Sequence, residues 1–245
     1  MTKKKPAACF VDNKYCAGCG HGVINRLVAE VLEEMGVYED SIGSIAVGCA
    51  SHMPETFAID CIQAQHGRAA AVAVGIKRSR PDKTVFSYQG DGDALAIGFS
   101  ETMYAAIRNE NITVIFVNNG NFGMTGGQMA PTTLPNQKTT TSTKGRDTSK
   151  TGDPLNVINM MKGLNVAYLA RTSITNNANI LKTKKAIRNA FEAQQNEEGY
   201  SFVEILSPCP TNWKMDPLKS MEHIDQNVVP FFELGEFVKR GEKNA

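Results

Sequence analysis

Short runs that are apolar almost without interruption alternate along this chain with segments whose apolar residues recur at helical spacing. Thr84–Tyr88, Ile112–Val117, Asn165–Leu169 and Phe202–Leu206 read as strands, and Ser44–Val47 as a shorter one. Between them, 22–35, 62–77, 95–108 and 179–194 read as helices. A strand with one wet face alternates apolar and polar residues, and these runs do not. They therefore belong to a mainly parallel sheet covered by helices on both faces, an α/β fold.

Such sheets bind ligands beyond the carboxyl ends of their strands. The unusual loops of this sequence all fall there: Gly48-Cys49 after one strand, Gly90-Asp91-Gly92-Asp93 after another, Asn118-Asn119 after a third and Pro208-Cys209 after the last.

Two of these loops suit a metal-bound diphosphate. Magnesium takes near-octahedral oxygen ligands, and a protein contributes only some of them. Asp91 offers a carboxylate between two glycines that let backbone approach phosphate closely. Asn119 offers an amide oxygen, and the main-chain carbonyl of Asn121 could complete the protein's share. A helix beginning near Leu95 would point its N–H groups at the same anion. Gly-Asp-Gly alone is more often a turn. Followed by a helix, an apolar strand and Asn-Asn, it matches the thiamine diphosphate motif shared by decarboxylases, transketolases and 2-oxoacid dehydrogenases.

Within that class the chain resembles the thiamine-diphosphate-binding (beta) subunit of 2-oxoacid:ferredoxin oxidoreductases, from about Tyr15 to Trp213. The resemblance rests on CxxCGHG at 16–22, Gly48-Cys49, His66-Gly67-Arg68, Gly-Asp-Gly-Asp at 90–93, Asn-Asn-Gly-Asn-Phe-Gly-Met-Thr-Gly-Gly-Gln at 118–128 and Cys-Pro-Thr-Asn at 209–212. It implies a single domain over 1–245 and a cofactor held by Gly90, Asp91, Gly92, Asp93, Asn119, Asn121, Gly123 and Thr125, with Cys49 and His66 beside it. Mg2+ would sit on Asp91, Asn119 and Asn121.

Four of the six cysteines, Cys16, Cys19, Cys49 and Cys209, lie in Gly- or Pro-rich turns. Cys61, flanked by Ile59 and Ile62, reads as a buried apolar residue. A zinc ribbon would show a second CxxC, and a thioredoxin-like pair would need neither Cys49 nor Cys209. Four thiolates from three loops at one sheet end suit an iron–sulfur cluster, with structural zinc as the alternative. The resemblance places a [4Fe-4S] cluster on these four positions. Thiamine diphosphate holds the electrons left by decarboxylation, and a neighbouring one-electron acceptor can remove them. That chemistry sets an oxidoreductase apart from a non-oxidative decarboxylase with a structural zinc.

Of the four histidines, the resemblance brings His66 near the cofactor and makes it the catalytic candidate. His21 could donate towards the cysteines or the sheet end, His52 and Ser51 follow Cys49, and His223 reads as a surface residue. No carboxylate of this chain is assigned to the aminopyrimidine of the cofactor. In the family that group comes from a separate alpha subunit, so this chain alone is expected to be inactive.

The resemblance further implies gamma and ferredoxin-like delta subunits in a hetero-oligomer of anaerobic metabolism. The reaction expected is coenzyme-A-dependent oxidation of a 2-oxoacid to acyl-CoA and CO2, with ferredoxin as acceptor. The run at 124–133 is closest to members acting on branched-chain acids (3-methyl-2-oxobutanoate) or 2-oxoglutarate, with a lean to the former.

With 26 Lys+Arg against 25 Asp+Glu, the chain lacks the positive excess of a nucleic-acid binder. No apolar run approaches the ~20 residues of a membrane span, and no apolar stretch follows the basic residues 3–5. A cytoplasmic location is expected. The Thr/Ser-rich segment 129–153 shows no periodicity and reads as a mobile excursion or as a lid or subunit-contact loop. Its uncharged 139–143 run favours a contact, and 214–245 reads as a C-terminal extension.

Overall fold

The computed structural model describes residues 5–9 and 11–240, so the first four residues considered above for a leader, and the last five of the C-terminal extension, lie outside the described residues. In chain order the elements are α1 (Gly20–Glu34), β1 (Ser41–Ile45), β2 (Asp60–Gln63), α2 (Ala69–Ser79), β3 (Thr84–Gly90), α3 (Phe99–Ile107), β4 (Thr113–Asn118), β5 (Asn121–Phe122) and β6 (Gln128–Met129). There follow α4 (Thr148–Thr151), α5 (Val157–Met161), β7 (Tyr168–Ser173), α6 (Asn177–Gln195), β8 (Ser201–Leu206), α7 (Pro210–Trp213), α8 (Pro217–His223) and β9 (Gly235–Lys239).

Seven strands form one sheet in the order β2-β1-β3-β4-β8-β7-β9. All pairs are parallel except β7–β9, which is antiparallel. Successive side chains of a strand go to opposite faces, and both faces here are dry. Phe86, Tyr88, Ile115, Val117, Val203 and Ile205 pack with α1 and α6. Val85, Val114, Phe116 and Phe202 pack with α2, α3 and α5. Every residue of β4, β7 and β8 is buried, which is why β4 runs apolar instead of alternating, while the polar residues of β7 and β8 include the buried pair Arg171 and Glu204. Among the described residues, no helix is long and apolar enough to cross a membrane.

Four sequence readings change, the first being the strand expected over 165–169, which runs instead over Tyr168–Ser173. The helix expected over 62–77 begins only at Ala69; before it lies the edge strand β2 and a turn at Gly67, whose φ is +80°. The helix expected from Leu95 is preceded by a wide turn over Gly92–Ile97, closed by the Gly98 N–H donating to the Asp93 carbonyl at 2.8 Å. The C-terminal segment adds β9 to the sheet edge and packs Ile224, Val228 and Phe232 against Leu134 and Leu206.

The segment 129–153 is organised by hydrogen bonds instead of periodic structure. The Asn136 N–H donates to the Arg146 carbonyl and the Arg146 N–H to the Gln137 carbonyl, each at 3.0 Å, and Thr140 N–H reaches the Gly127 carbonyl at 3.0 Å.

Candidate functional site

Because β1, β3, β4 and β8 run parallel, their carboxyl ends share one rim, and the loops leaving them converge on a cleft. It is lined by Gly48, Cys49, His66, Gly90, Asp91, Gly92, Asp93, Asn119, Asn121, Phe122, Gly123 and Thr125, with His21, Val47, Ala50 and Met124. The nine residues expected to touch the cofactor besides His66 are all in this lining, and so is His66 itself.

Asp91 is 2% exposed. Its Oδ1 accepts from the Thr132 hydroxyl at 2.6 Å and its Oδ2 from the Asn119 N–H at 3.1 Å. Burial pushes its carboxyl up to about 7, against the pull of those two donors, and Glu204 adds to the rise. A buried carboxylate answered only by neutral donors lacks a counter-charge, and a divalent cation is the natural complement. The asparagines are fixed beside it: Asn119 Oδ1 accepts from the Asn121 N–H at 3.2 Å, and Asn121 Nδ2 donates to the Asn119 carbonyl at 2.9 Å. A side chain on Gly92 would collide with the Phe122 ring, so the loop can approach the β5 turn this closely only as glycine.

Asp93 lies on the other side of the same loop and is turned away from that cation position. Its Oδ1 accepts from the Gly67 N–H at 2.6 Å and from His66 Nδ1 at 3.0 Å, and its Oδ2 from Gln89 Nε2 at 2.7 Å. Its part in the site is therefore to hold the His66-Gly67 turn, which leaves His66 Nε2 as the free ring nitrogen. Thr125 hydrogen-bonds Gln128 Oε1 at 2.7 Å within the β5–β6 hairpin.

The cysteines expected to act together do come to one end of the sheet. Gly48, with φ +106° and ψ −156°, turns the chain in a way open only to glycine and presents Cys49. A Cβ on Gly123 would lie 3.0 Å from the Cys49 sulfur. Burial pushes the Cys19 thiol up to about 12, with Cys209, Cys49 and Cys16 adding to the rise. Burial likewise pushes Cys49 up to about 11, with Cys209 and Cys16 again contributing. Cys209 is buried, and its sulfur accepts from Asn212 Nδ2 at 3.3 Å. Cys19 and Cys49 thus both feel Cys16 and Cys209 through space, and four cysteines are the donor set of an iron–sulfur centre. Among the described residues, however, no three His, Cys, Asp or Glu side chains stand close enough to hold a single metal ion.

Cys9 and Cys61 stay apart from this group. Cys9 bridges to Phe57, and Cys61 is half-buried in β2, packed against the core.

Beneath the cysteines lies a network that sequence reasoning did not assign. His21 is buried, its ring stacked 5.0 Å from that of Tyr15, with Nδ1 2.7 Å from the Tyr88 hydroxyl. Burial, and then His52, push its pKa down to about 3, so the ring is neutral. His52 pairs with Glu55 at 3.0 Å. His223 is not a free surface group: it packs edge-to-face on Trp213 and its pKa is lowered by burial.

A parallel sheet whose rim carries an acidic turn, an Asn-Asn turn and glycine-opened backbone defines the class of thiamine-diphosphate-binding domains. Residues 41–205 match the thiamine pyrophosphate enzyme, C-terminal TPP-binding domain. The chain is 35% identical over 222 residues to the 2-oxoglutarate synthase subunit KorB of Methanocaldococcus jannaschii, covering 88% of this chain and 78% of that one. It is 41% identical over 239 residues to the ketoisovalerate oxidoreductase subunit VorA of Methanothermobacter thermautotrophicus, covering 97% of this chain but 50% of that one. The chain thus spans about half the length of the VorA subunits it matches. Among solved structures it is similar to the 2-oxoglutarate:ferredoxin oxidoreductase of Magnetococcus marinus, with a TM-score of 0.77 and 26% identity, over 99% of this chain and 87% of that one. The chain belongs to the thiamine-diphosphate-binding subunits of 2-oxoacid:ferredoxin oxidoreductases.

Proposed function

We propose that this chain carries thiamine diphosphate and its Mg2+ on Asp91, Asn119 and the main chain of Asn121, and a [4Fe-4S] cluster on Cys16, Cys19, Cys49 and Cys209. In an assembly with an alpha subunit, and with gamma and ferredoxin-like delta subunits, it would serve the coenzyme-A-dependent oxidation of a 2-oxoacid to acyl-CoA and CO2, with ferredoxin as electron acceptor. The observation that carries the reading is the sharing of one rim. A buried carboxylate answered only by neutral donors shares its cleft with Cys49, whose thiol in turn feels Cys209, Cys16 and Asp91.

When bound, thiamine diphosphate supplies an electron sink for the carbon left by decarboxylation. The rest falls to the chain's own residues. Asp91 would neutralise part of the cation's charge. Gly90, Gly92 and Gly123 would let backbone approach a phosphate group closely, and Thr125 stands in the same lining. His66, anchored through Nδ1 by Asp93, presents Nε2 as a proton acceptor or, once protonated, as a donor. Cys49 lines the cleft and would bring a cluster ligand up to the cofactor, whose electrons that cluster would accept.

The lining favours an apolar acid. Val47, Ala50, Phe122 and Met124 face the cleft, and no Lys or Arg is among its lining residues. A second carboxylate, as in 2-oxoglutarate, would need a cation from a partner subunit. We therefore read the substrate as a branched-chain 2-oxoacid such as 3-methyl-2-oxobutanoate. The test is anaerobic co-purification with the partner subunits, then a 2-oxoacid panel with viologen or ferredoxin reduction. Coenzyme-A-dependent reduction with branched-chain acids supports the reading. Decarboxylation without acceptor reduction, together with one zinc per chain, contradicts it.

A further inference from the structure

The segment 129–153 is built around a buried arginine, Arg146, whose hydrogen bonds go to main-chain oxygens. Arg146 is 5% exposed. Its Nε donates to the Gly152 carbonyl at 3.1 Å; Nη1 donates to those of Pro131 at 2.9 Å, Thr133 at 2.7 Å and Ala130 at 3.4 Å; Nη2 donates to those of Asp153 at 3.0 Å and Thr151 at 3.4 Å. All of these acceptors are main-chain oxygens, so the guanidinium ties the two ends of the segment together, with the Asp153 carboxylate as an added electrostatic partner.

The residue between two of those carbonyls is Thr132. Fully buried, it donates to Asp91 Oδ1 at 2.6 Å. Its neighbour Thr133 donates to the Gly120 carbonyl at 2.6 Å, in the Asn-Asn turn itself. One clamped turn therefore touches both halves of the proposed cation site. With Oδ2 of Asp91 held by the Asn119 N–H at 3.1 Å, the Thr132 bond fixes the plane of the carboxylate and the lone pairs left over for a metal.

We propose that Thr132 and Arg146 are positioning residues for the Asp91 carboxylate. Thr132 sets its orientation directly, and Arg146 holds the 130–133 turn that delivers Thr132. The inference rests on the reading that Asp91 binds a divalent cation. Magnesium-type sites demand near-ideal geometry, and loss of a group that orients a ligand costs about 10–100-fold in metal affinity.

The test uses the assembled complex, stripped with EDTA and supplied with thiamine diphosphate, titrated with Mn2+ while the free Mn2+ EPR signal is followed. Thr132→Val is expected to weaken Mn2+ binding by about 10–100-fold, and Thr132→Ser to restore it to near the wild-type value. Arg146→Gln should weaken it in the same direction, and the Thr132→Val/Arg146→Gln pair no further than Thr132→Val alone, because both act along one path. Should the valine variant fail to assemble, Thr132→Ala is read in the same titration. Wild-type Mn2+ affinity in the folded Thr132→Val or Thr132→Ala complex overturns the proposal. So does a lowered melting temperature with no change in affinity. A wild-type complex that takes up no Mn2+ at all overturns the cation reading of Asp91, and the proposal with it.

Discussion

The carboxylate of Asp93, buried under the rim loop, accepts a hydrogen bond from Nδ1 of His66 at 3.0 Å. The bond fixes which ring nitrogen faces the cleft. Asp93→Asn removes the anion that selects this tautomer, and loss of such a partner typically costs 10–100-fold. We expect a fall in kcat of about that size with little change in 2-oxoacid KM, and a similar fall in His66→Gln. Unchanged steady-state kinetics in Asp93→Asn would remove His66 from the proposed chemistry.

Asp91 makes the stability of the metal-free protein depend on pH in an unusual direction. Its carboxyl is raised from 3.8 to about 7 in the fold, so the folded state holds the proton more tightly than the unfolded one. Stability from this group is present below pH 4 and is lost as pH rises through about 7. Thermal melting of the EDTA-treated complex should therefore show Asp91→Asn more stable than wild type at pH 8, with the gap narrowing steadily as pH falls from about 7 towards 4. Added Mg2+ should raise the wild-type melting temperature at pH 8 and leave Asp91→Asn unmoved.

His21 gives the opposite slope. Its pKa falls from 6.5 to about 3 in the fold, so the unfolded state takes up the proton first. The stability it contributes is whole above pH 6.5 and is lost as pH drops towards 3, on the order of 5 kcal/mol in all. Replacing His21 by Gln, which keeps a hydrogen-bonding partner for Tyr88, should flatten the acid limb of the stability profile between pH 6 and 4. An acid limb as steep as the wild-type one would show that His21 is not buried as described.

Arg171 and Glu204 form an ion pair at 2.8 Å with side chains 2% and 1% exposed. Glu204 also accepts from Asn118 Nδ2 at 2.7 Å, and Arg171 donates to Asn156 Oδ1 at 2.8 Å. The pair thus supports the start of the Asn-Asn turn from below. Arg171→Met strands the carboxylate and should destabilise by about 3–5 kcal/mol, whereas Arg171→Met with Glu204→Leu should recover much of that loss. Denaturation of the three variants side by side measures the difference.

Much of this architecture is legible in the residues. Strands buried on both faces, such as Thr113–Asn118, carry a continuous apolar signal, and the loops that follow them carry the Gly, Asp, Asn and Cys residues of the rim. Edge strands are harder to read. Asp60–Gln63 has little buried surface, and its residues run into the Ala-rich α2 pattern. Gly235–Lys239 is half-exposed and largely polar. Thr132 and Arg146 escape for a different reason. Their partners are a carboxylate 41 positions away and a set of main-chain oxygens, and neither leaves a periodic or spacing signature. Asp93, read as a cofactor contact beside Asp91, is separated from it in role only by the turn that points the two carboxylates to different neighbours.

The most direct test is the cofactor content of two variants of the anaerobically purified complex, measured for thiamine diphosphate, magnesium, iron and acid-labile sulfide. Asp91→Ala should lose thiamine diphosphate and magnesium while keeping about four irons per chain above those of the partner subunits, and Cys209→Ser should lose that iron and sulfide while keeping the coenzyme. Coenzyme retained in full by Asp91→Ala, or iron unchanged in Cys209→Ser, would contradict the assignment of two adjoining sites to one sheet rim.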